Sequence, residues 1–120
     1  MAQEVVHRVE GTVQTTDATQ TVVVSYALPD ECIAVVEAAI VGQQVGSANC
    51  AAYIRIVGIK RQSGLALLVG TVATPFTGEN VSTWDATLTV SSPDIRVSVT
   101  GVAGVTIDWL ATMTITLYQP

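Results

Sequence analysis

The chain has 120 residues, the length of a single domain that can form its own hydrophobic core. Only 12% of its residues are charged, 49% are apolar, and the formal net charge is −5. Nucleic acid is therefore not an expected partner, because phosphate binding requires clustered lysine and arginine side chains. A membrane is not expected either, because the uncharged apolar stretches fall far short of the roughly 18 residues that a spanning helix needs.

The positions of the predicted strands follow from the alternation of apolar and polar residues along the chain. Valine and threonine, both β-branched, are the two most common residues, and they favour strands over helices. Apolar and polar residues alternate with a period of two along most of the chain, and turn-forming residues interrupt the alternation. The pattern predicts eight strands, at residues 4–14, 21–28, 32–41, 51–61, 65–73, 83–91, 95–100 and 105–118.

Eight short strands without a helical segment predict an all-β fold. The expected architecture is a single antiparallel β-sandwich that is jelly-roll-like, although the strand order does not follow from the pattern. We expect one domain overall, in which residues 1–11 form an N-terminal arm or first strand and residues 12–120 form the sandwich.

Trp84 and Trp109 each open a segment of the pattern W-x-A-T-x-T-[VI]. The two segments either occupy equivalent places in one sheet or repeat by chance, as threonine-rich alternating strands do. Exposed tryptophans would stack on sugar rings and indicate a lectin-like module, whereas buried tryptophans would anchor the core. Each lies in phase with other apolar residues of its strand, so we predict that Trp84 and Trp109 are core anchors.

The sequence offers few groups for catalysis. His7 is the one histidine, and a nucleophilic triad would require it to lie within hydrogen-bond reach of a cysteine or serine. Zinc needs three or four nitrogen or sulfur ligands, which one histidine and two scattered cysteines do not supply. Asp85 and Asp108 each neighbour a tryptophan, but the alternation points each acid away from that ring. We therefore predict no catalytic, cofactor or metal site and no enzymatic activity.

Cys32 and Cys50 are too far apart in sequence for a CxxC motif. The N-terminus has no basic segment followed by an apolar one, so no secretion signal is expected. Free, buried thiols are the prediction for such a chain, and a disulfide between the two cysteines is the alternative, since assemblies released from cells meet oxidising surroundings.

The low charge has a further implication for the surface. A domain this small has a high surface-to-volume ratio and normally needs more charged residues than 12%. Contact with other subunits would cover part of that surface and resolve the mismatch. The alternative is that threonine, serine and glutamine keep the surface hydrated without charge.

Six short segments within about residues 12–118 resemble a β-rich domain of tailed-bacteriophage virion proteins. They are Thr15-Thr16-Asp17-Ala18-Thr19-Gln20-Thr21, Ser25-Tyr26-Ala27-Leu28-Pro29, Val69-Gly70-Thr71, Trp84-Asp85-Ala86-Thr87-Leu88, Val99-Thr100-Gly101 and Thr106-Ile107-Asp108-Trp109-Leu110-Ala111-Thr112.

The resemblance implies a non-enzymatic virion component, typically a homotrimer, that decorates the head shell or forms part of a tail fibre or spike. A short N-terminal arm without a shaft domain suits a capsid decoration (cement) protein. Such a protein is made in the host cytoplasm and sits on the capsid exterior, with the major capsid protein as its partner. The alternative is a receptor- or carbohydrate-binding module at a tail tip, which would expose tryptophan or tyrosine side chains clustered at one end.

The predicted subunit or capsid interface combines the N-terminal segment with apolar strand faces such as residues 33–41. In this hypothesis the N-terminal segment, or the loops at one end, contacts the shell, and the apolar faces pack subunits together. The residues assigned to this interface are Val5, Val6, His7, Arg8, Ile33, Val35, Tyr53 and Arg55.

Overall fold

The computed structural model describes residues 3–120, with side-chain environments from residue 6 onward. The described chain contains no helix, so it has none that could cross a membrane. It is all-β, as the alternation predicts. Its eight strands are β1 (Gln3–Thr15), β2 (Thr21–Ala27), β3 (Cys32–Gln44), β4 (Cys50–Gln62), β5 (Leu65–Glu79), β6 (Asp85–Ser91), β7 (Asp94–Thr100) and β8 (Ile107–Gln119).

The strands form two antiparallel sheets that pack as a sandwich. The larger sheet has the order β1-β8-β3-β4-β5, and the smaller has the order β2-β7-β6. The nested pairings of β1 with β8, β2 with β7 and β4 with β5 are those of a jelly roll. The strands divide five and three because β3 pairs with β4 and β8 in the large sheet, while β6 joins β7 in the small one.

The long strands give the molecule an elongated shape, with extents of 52 × 22 × 22 Å. Its connections therefore lie at two ends. The turn end, where Gln3 pairs with Gln119, carries the tight connections 28–31, 63–64 and 92–93. The loop end carries the longer connections 16–20, 45–49, 80–84 and 101–106.

Asp30 links two connections of the turn end. Its Oδ1 accepts hydrogen bonds from the backbone N–H of Gly64 at 3.0 Å and of Glu31 at 2.9 Å, and Nε of Arg61 lies 4.0 Å away. The hydrogen bond from Gly64 is the largest cause that holds the pKa of Asp30 below its usual value. The carboxylate thereby joins the β2–β3 turn to the β4–β5 turn.

The core lies between the sheets and includes both tryptophans. Trp84 and Trp109 are each 2% exposed, and their rings meet edge to face with centroids 5.7 Å apart. The Trp109 indole N–H donates to Oγ1 of Thr15 at 2.9 Å, so its polar atom is satisfied. A Cβ on Gly42 would lie 2.7 Å from the Trp109 ring, which explains a glycine inside this strand. The two W-x-A-T-x-T segments lie in different sheets and so are not equivalent strands of one sheet.

A buried arginine also lies between the sheets. Arg55 is 3% exposed, and it donates from Nε to the Ala86 carbonyl of β6 and from Nη1 to the Phe76 carbonyl of β5, both at 2.8 Å. Its guanidinium lies 4.8 Å from the centroid of the Tyr53 ring. The Tyr53 hydroxyl donates to Oε2 of Glu79 at 2.5 Å. Arg55 therefore connects three strands across both sheets.

Strand β5 is longer than predicted. The expected loop from residue 74 is instead strand as far as Glu79 and includes Pro75. Proline fits here because β5 is an edge strand, where a missing N–H leaves no neighbour unpaired. Register shifts opposite Ile54, Ile56 and Gly58 also interrupt the ladder between β4 and β5. Such interruptions discourage edge-to-edge pairing with another sheet.

Candidate assembly surface

The outer face of the five-stranded sheet is unusually apolar for a surface. We use "outer face" for the side chains of this sheet that point away from the small sheet. Val6 is 67% exposed there and Val35 is 50% exposed, although valine usually avoids such positions. The large apolar side chains exposed on the outer face are Val6, Ile33, Val35, Val41, Leu65, Leu67, Val69, Phe76, Leu110 and Tyr118.

These side chains border two shallow apolar grooves, one toward each end of the outer face. The groove nearer the turn end has a volume of about 770 Å³, with Val35 and Val69 on either side of Gly58. The groove nearer the loop end has a volume of about 860 Å³ and is bordered by Phe76 and Leu110. Small residues form the floors, so a neighbouring molecule can insert apolar side chains into both grooves.

The small sheet presents a different outer surface. Its outward positions hold mostly polar side chains, and Thr89 Oγ1 lies 2.8 Å from Ser98 Oγ in a hydrogen bond. Among its described residues, Val22 is the large apolar side chain exposed there, at 40%. The total accessible surface, 6169 Å², matches the value of about 6,200 Å² expected for a folded chain of this mass. The molecule is thus compact, and its unusual property is the apolar character of one face.

A narrow band of charge crosses the outer face between the two grooves. Arg8 of β1, Thr114 of β8 and Glu37 of β3 share one register row. Glu10 lies in the next row of β1, beside Thr112. Neither Arg8 nor Glu37 forms a salt bridge with the side chains of residues 6–120. The central charges of the face are therefore available to another molecule.

Four of the eight predicted interface residues lie together on one surface of the structure, and the other four do not join them there. Val6, Arg8, Ile33 and Val35 lie on the outer face. Val5 pairs with Leu117 through its backbone, and its side chain lies outside the described part.

The remaining three residues point inward. His7 is half-buried against Tyr26. Tyr53 and Arg55 are 1% and 3% exposed, so neither side chain reaches a partner from this position. Their hydrogen bonds to distant strands satisfy them inside the sandwich, as described above. Glu37, Leu67 and Phe76 also lie on the outer face but are not among the predicted interface residues, because the sequence pattern does not show which strands are neighbours.

His7 lies at the turn end in a polar recess of about 330 Å³. Its ring centroid is 5.1 Å from that of Tyr26. Within the described residues His7 has no hydrogen bond to a cysteine or serine, the contact that a nucleophilic triad would require. Among the side chains of residues 6–120, no group of three or more histidine, cysteine, aspartate or glutamate residues is arranged to hold a metal ion.

The cysteines are free thiols in this structure; Cys32 is buried as predicted, but Cys50 is exposed, so the prediction that both are buried is wrong for Cys50. Cys32 pairs with Arg61 at the turn end, and Cys50 pairs with Gln43 at the loop end. The two positions are separated by roughly 36 Å along β3, so a disulfide between them is geometrically impossible. Burial raises the pKa of the Cys32 thiol, which keeps it protonated and unreactive near neutral pH.

The tryptophans and their neighbouring acids do not form a sugar site. Trp84 and Trp109 are buried, so neither ring offers a stacking platform at the surface. Asp85 and Asp108 are exposed, and Asp108 accepts a hydrogen bond from Nε2 of Gln14 at 2.9 Å. A carbohydrate-binding role that rests on the tryptophans is therefore not supported by their positions.

No protein-family model matches the sequence, and comparison with curated proteins finds no match. Among solved structures, the chain is similar to the tailspike protein of the Acinetobacter baumannii phage AM24, with a TM-score of 0.41 and 13% sequence identity. The similarity covers 99% of this chain and 26% of that chain.

Proposed function

We propose that this protein is a non-enzymatic structural subunit of a tailed-bacteriophage virion that assembles as a homotrimer through its outer face. The observation that carries the proposal is the contrast between the two exposed sheet surfaces, one apolar and grooved, the other polar. Exposed apolar patches of this extent mark interaction sites in soluble proteins. The virion assignment rests on the sequence resemblance.

The outer face is large enough to support a stable assembly. Five strands at about 4.8 Å spacing and thirteen residues at about 3.3 Å rise give an area of about 1,000 Å². A standard protein interface buries about 800 Å² on each partner. At about 25 cal/mol for each Å² of apolar area, burial of this face would provide the main driving force for association.

Within the virion, we place the protein on the capsid exterior as a decoration protein bound to the major capsid protein. The described residues show no cluster of exposed tryptophan or tyrosine at either end, which a receptor-binding tip would require. Trp84, Trp109 and Tyr53 are buried, Tyr26 is half-buried, and Tyr118 is 41% exposed on the outer face at the turn end. In this role, many copies would hold capsomers together against the pressure of packaged DNA.

Self-association is tested by a pair of matched substitutions. Val35→Glu places a charge on the outer face, and Val22→Glu places the same charge on the small sheet at similar exposure. We expect a trimer mass for the native protein by light scattering, association weakened at least about tenfold in Val35→Glu, and no change in Val22→Glu. A native protein that stays monomeric at high concentration, or equal effects of both substitutions, would contradict the proposal.

The location in the virion is tested by dissociating purified particles. Recovery of the protein with isolated heads supports the decoration role. Recovery with isolated tails contradicts it and supports the alternative, a receptor- or carbohydrate-binding module of the tail.

A further inference from the structure

We infer that two copies of this chain pair antiparallel through the open edge of β1, about a two-fold axis at Val9. The contact uses the edge of the five-stranded sheet and leaves the outer face free, so it goes beyond the proposed trimer and does not depend on it. The pair joins two five-stranded sheets into one continuous sheet. In a coat of trimers, the same contact would link one trimer to the next.

Strand β1 is a long edge strand with an uninterrupted backbone. Its register with β8 runs without a shift from the Gln3–Gln119 rung to the Thr15–Ile107 rung. Residues 6–15 form no backbone hydrogen bond to the described chain outside this ladder. In an antiparallel ladder alternate residues direct their N–H and C=O groups to the same neighbour, so the remaining residues of β1 direct theirs away from β8. These free donors and acceptors can pair with another strand.

The other three edge strands are each protected from such pairing. Strand β5 contains Pro75, and its ladder with β4 has register shifts. Strands β2 and β6 have seven residues each, and the ladder of β2 is shifted at Val23. The Ala86 carbonyl of β6 accepts its hydrogen bond from Arg55. Proline, register shifts and short length are the features by which proteins prevent edge pairing, and β1 has none of them.

The side chains of β1 show that its edge is open to solvent. His7, Val9 and Val13 face the small sheet but are only half-buried. Met113 of β8, directly opposite Val9, is 0% exposed. Strand β2 contacts both β1 and β8, so the small sheet lies beneath the two strands and leaves the edge of β1 uncovered. A strand placed beside β1 would complete the burial of its inward side chains.

A second copy of β1 fits this edge by length and by charge. Val9 is the midpoint of β1, so a two-fold axis at Val9 pairs the whole strand with its copy. In this register Arg8 of each copy lies opposite Glu10 of the other, and all four side chains are on the outer face. Opposite charges directly across an antiparallel pair stabilise it. Neither Arg8 nor Glu10 forms a salt bridge with the side chains of residues 6–120, so both are available.

The neighbouring registers give a poorer match. An axis at Arg8 sets the two Arg8 side chains against each other, and an axis at Glu10 does the same to the two carboxylates. Like charges directly opposite destabilise a strand pair, and each shift also leaves residues of β1 unpaired. The register that forms the longest ladder is therefore also the one that matches the charges.

Disulfide trapping tests the pairing on the full chain. Val9→Cys is made together with Cys50→Ser, so that the exposed native thiol does not compete. Across the axis the two Cα atoms of residue 9 would be about 4.5–5.5 Å apart, a distance that a disulfide can span. Val13→Cys with Cys50→Ser is the matched control: Val13 is also half-buried and faces inward, but its two copies would be about 26 Å apart. With oxidised glutathione at high protein concentration, we expect at least about tenfold more linked dimer from Val9→Cys than from Val13→Cys.

Charge reversal tests the register. In the Val9→Cys background, Arg8→Glu sets like charges opposite each other, and R8E/E10R restores opposite charges with their signs exchanged. We expect Arg8→Glu to lower the yield of linked dimer at least about fivefold and R8E/E10R to return it to within about twofold. Circular dichroism spectra check that each variant is folded.

Hydrogen exchange provides a measurement on the native protein. Above the concentration at which the trimer has formed, we expect amide protection in β1 to rise further with protein concentration. Strand β5, the other edge of the same sheet, is the internal control, and its protection is expected to stay constant. Unchanged protection in β1 would contradict the pairing.

The outcomes separate the edge pairing from the proposed function. The outer-face association cannot link Val9→Cys, because Val9 points to the opposite side of the sheet. Equal yields from Val9→Cys and Val13→Cys, or no dimer from either, overturn the inference even if the native protein is a trimer. A linked Val9→Cys dimer in a protein that forms no trimer overturns the homotrimer and leaves the edge pairing standing. Failure of R8E/E10R to restore the yield overturns the register at Val9.

Discussion

Replacement of the buried Arg55 by methionine tests how the two sheets are held together. Methionine keeps the length and apolar stem of the side chain but removes every donor. The carbonyls of Phe76 and Ala86, on β5 and β6, then lose their hydrogen-bond partner. Nη1 also donates to the Ile54 carbonyl at 3.0 Å, but Ile54 is next to Arg55 in the chain, so this hydrogen bond does not join two strands. We expect Arg55→Met to fold into the same sandwich with lower stability.

The size of the stability loss follows from the two carbonyls that lose their hydrogen-bond donor. Each buried carbonyl without a donor costs about 1–3 kcal/mol. Part of this loss is offset, because the variant no longer buries a guanidinium. We expect the free energy of unfolding to fall by about 3 kcal/mol, which corresponds to a fall in Tm of about 12 °C for a chain of this length.

Urea denaturation followed by tryptophan fluorescence measures this difference, because both tryptophans are buried and report on the core. All proteins are compared at one concentration, since self-association adds to apparent stability. Arg96→Met is the matched control: Arg96 is partly exposed, and its nearest carboxylate oxygen, in Asp94, is 3.8 Å away, so we expect a loss of about 0.5 kcal/mol. Equal stability of Arg55→Met and native protein would refute the idea that the guanidinium joins the sheets.

Two further predictions concern the core. Burial and the neighbouring Glu79 carboxylate raise the pKa of Tyr53, so the unfolded chain loses its phenolic proton first, and stability is expected to fall as pH rises above about 10. Tyr53→Phe is expected to make the stability fall less steeply with pH in urea titrations from pH 8 to 11. If the stability of the variant falls as steeply as that of the native protein, other groups cause the decline. Gly42→Ala places a methyl group about 2.7 Å from the Trp109 ring, and we expect it to cost about 1–3 kcal/mol by the same assay. An unchanged midpoint would show that the ring shifts freely.

The sequence predicts the strands well because a period of two is a local signal. All eight predicted strands are present, and most of their ends lie within a few residues of the observed ones. The largest difference is at β5, where Pro75 indicates a loop but lies in an edge strand that tolerates it. The five-and-three division of the strands is not predictable from the pattern, because it depends on pairings such as β3 with β8, far apart in the chain.

The exposure of each predicted interface residue depends on which side of its strand faces the core. In β3 the two sides are both apolar, and Ile33 and Val35 lie outside, as the hypothesis requires. In β4 the more apolar side, with Ile54 and Ile56, faces outward, while Tyr53 and Arg55 turn inward. Hydropathy alone favours the opposite orientation. The hydrogen-bond partners that allow Arg55 to lie inside, such as the Ala86 carbonyl, are distant in sequence, so no local sequence pattern indicates them.

The pairing of β1 with β8 has a mechanical consequence. The ladder runs from the Gln3–Gln119 rung to the Thr15–Ile107 rung, and its hydrogen bonds lie perpendicular to the strands. Tension applied between Gln3 and Gln119 would therefore open the rungs one after another, as in a zipper, and β1 would peel away at low force. Tension spread across the broad side of the sheet would instead act on many contacts at once. A tether that must withstand pulling therefore belongs at the loop end or on the outer face, and not at Gln3 and Gln119 together.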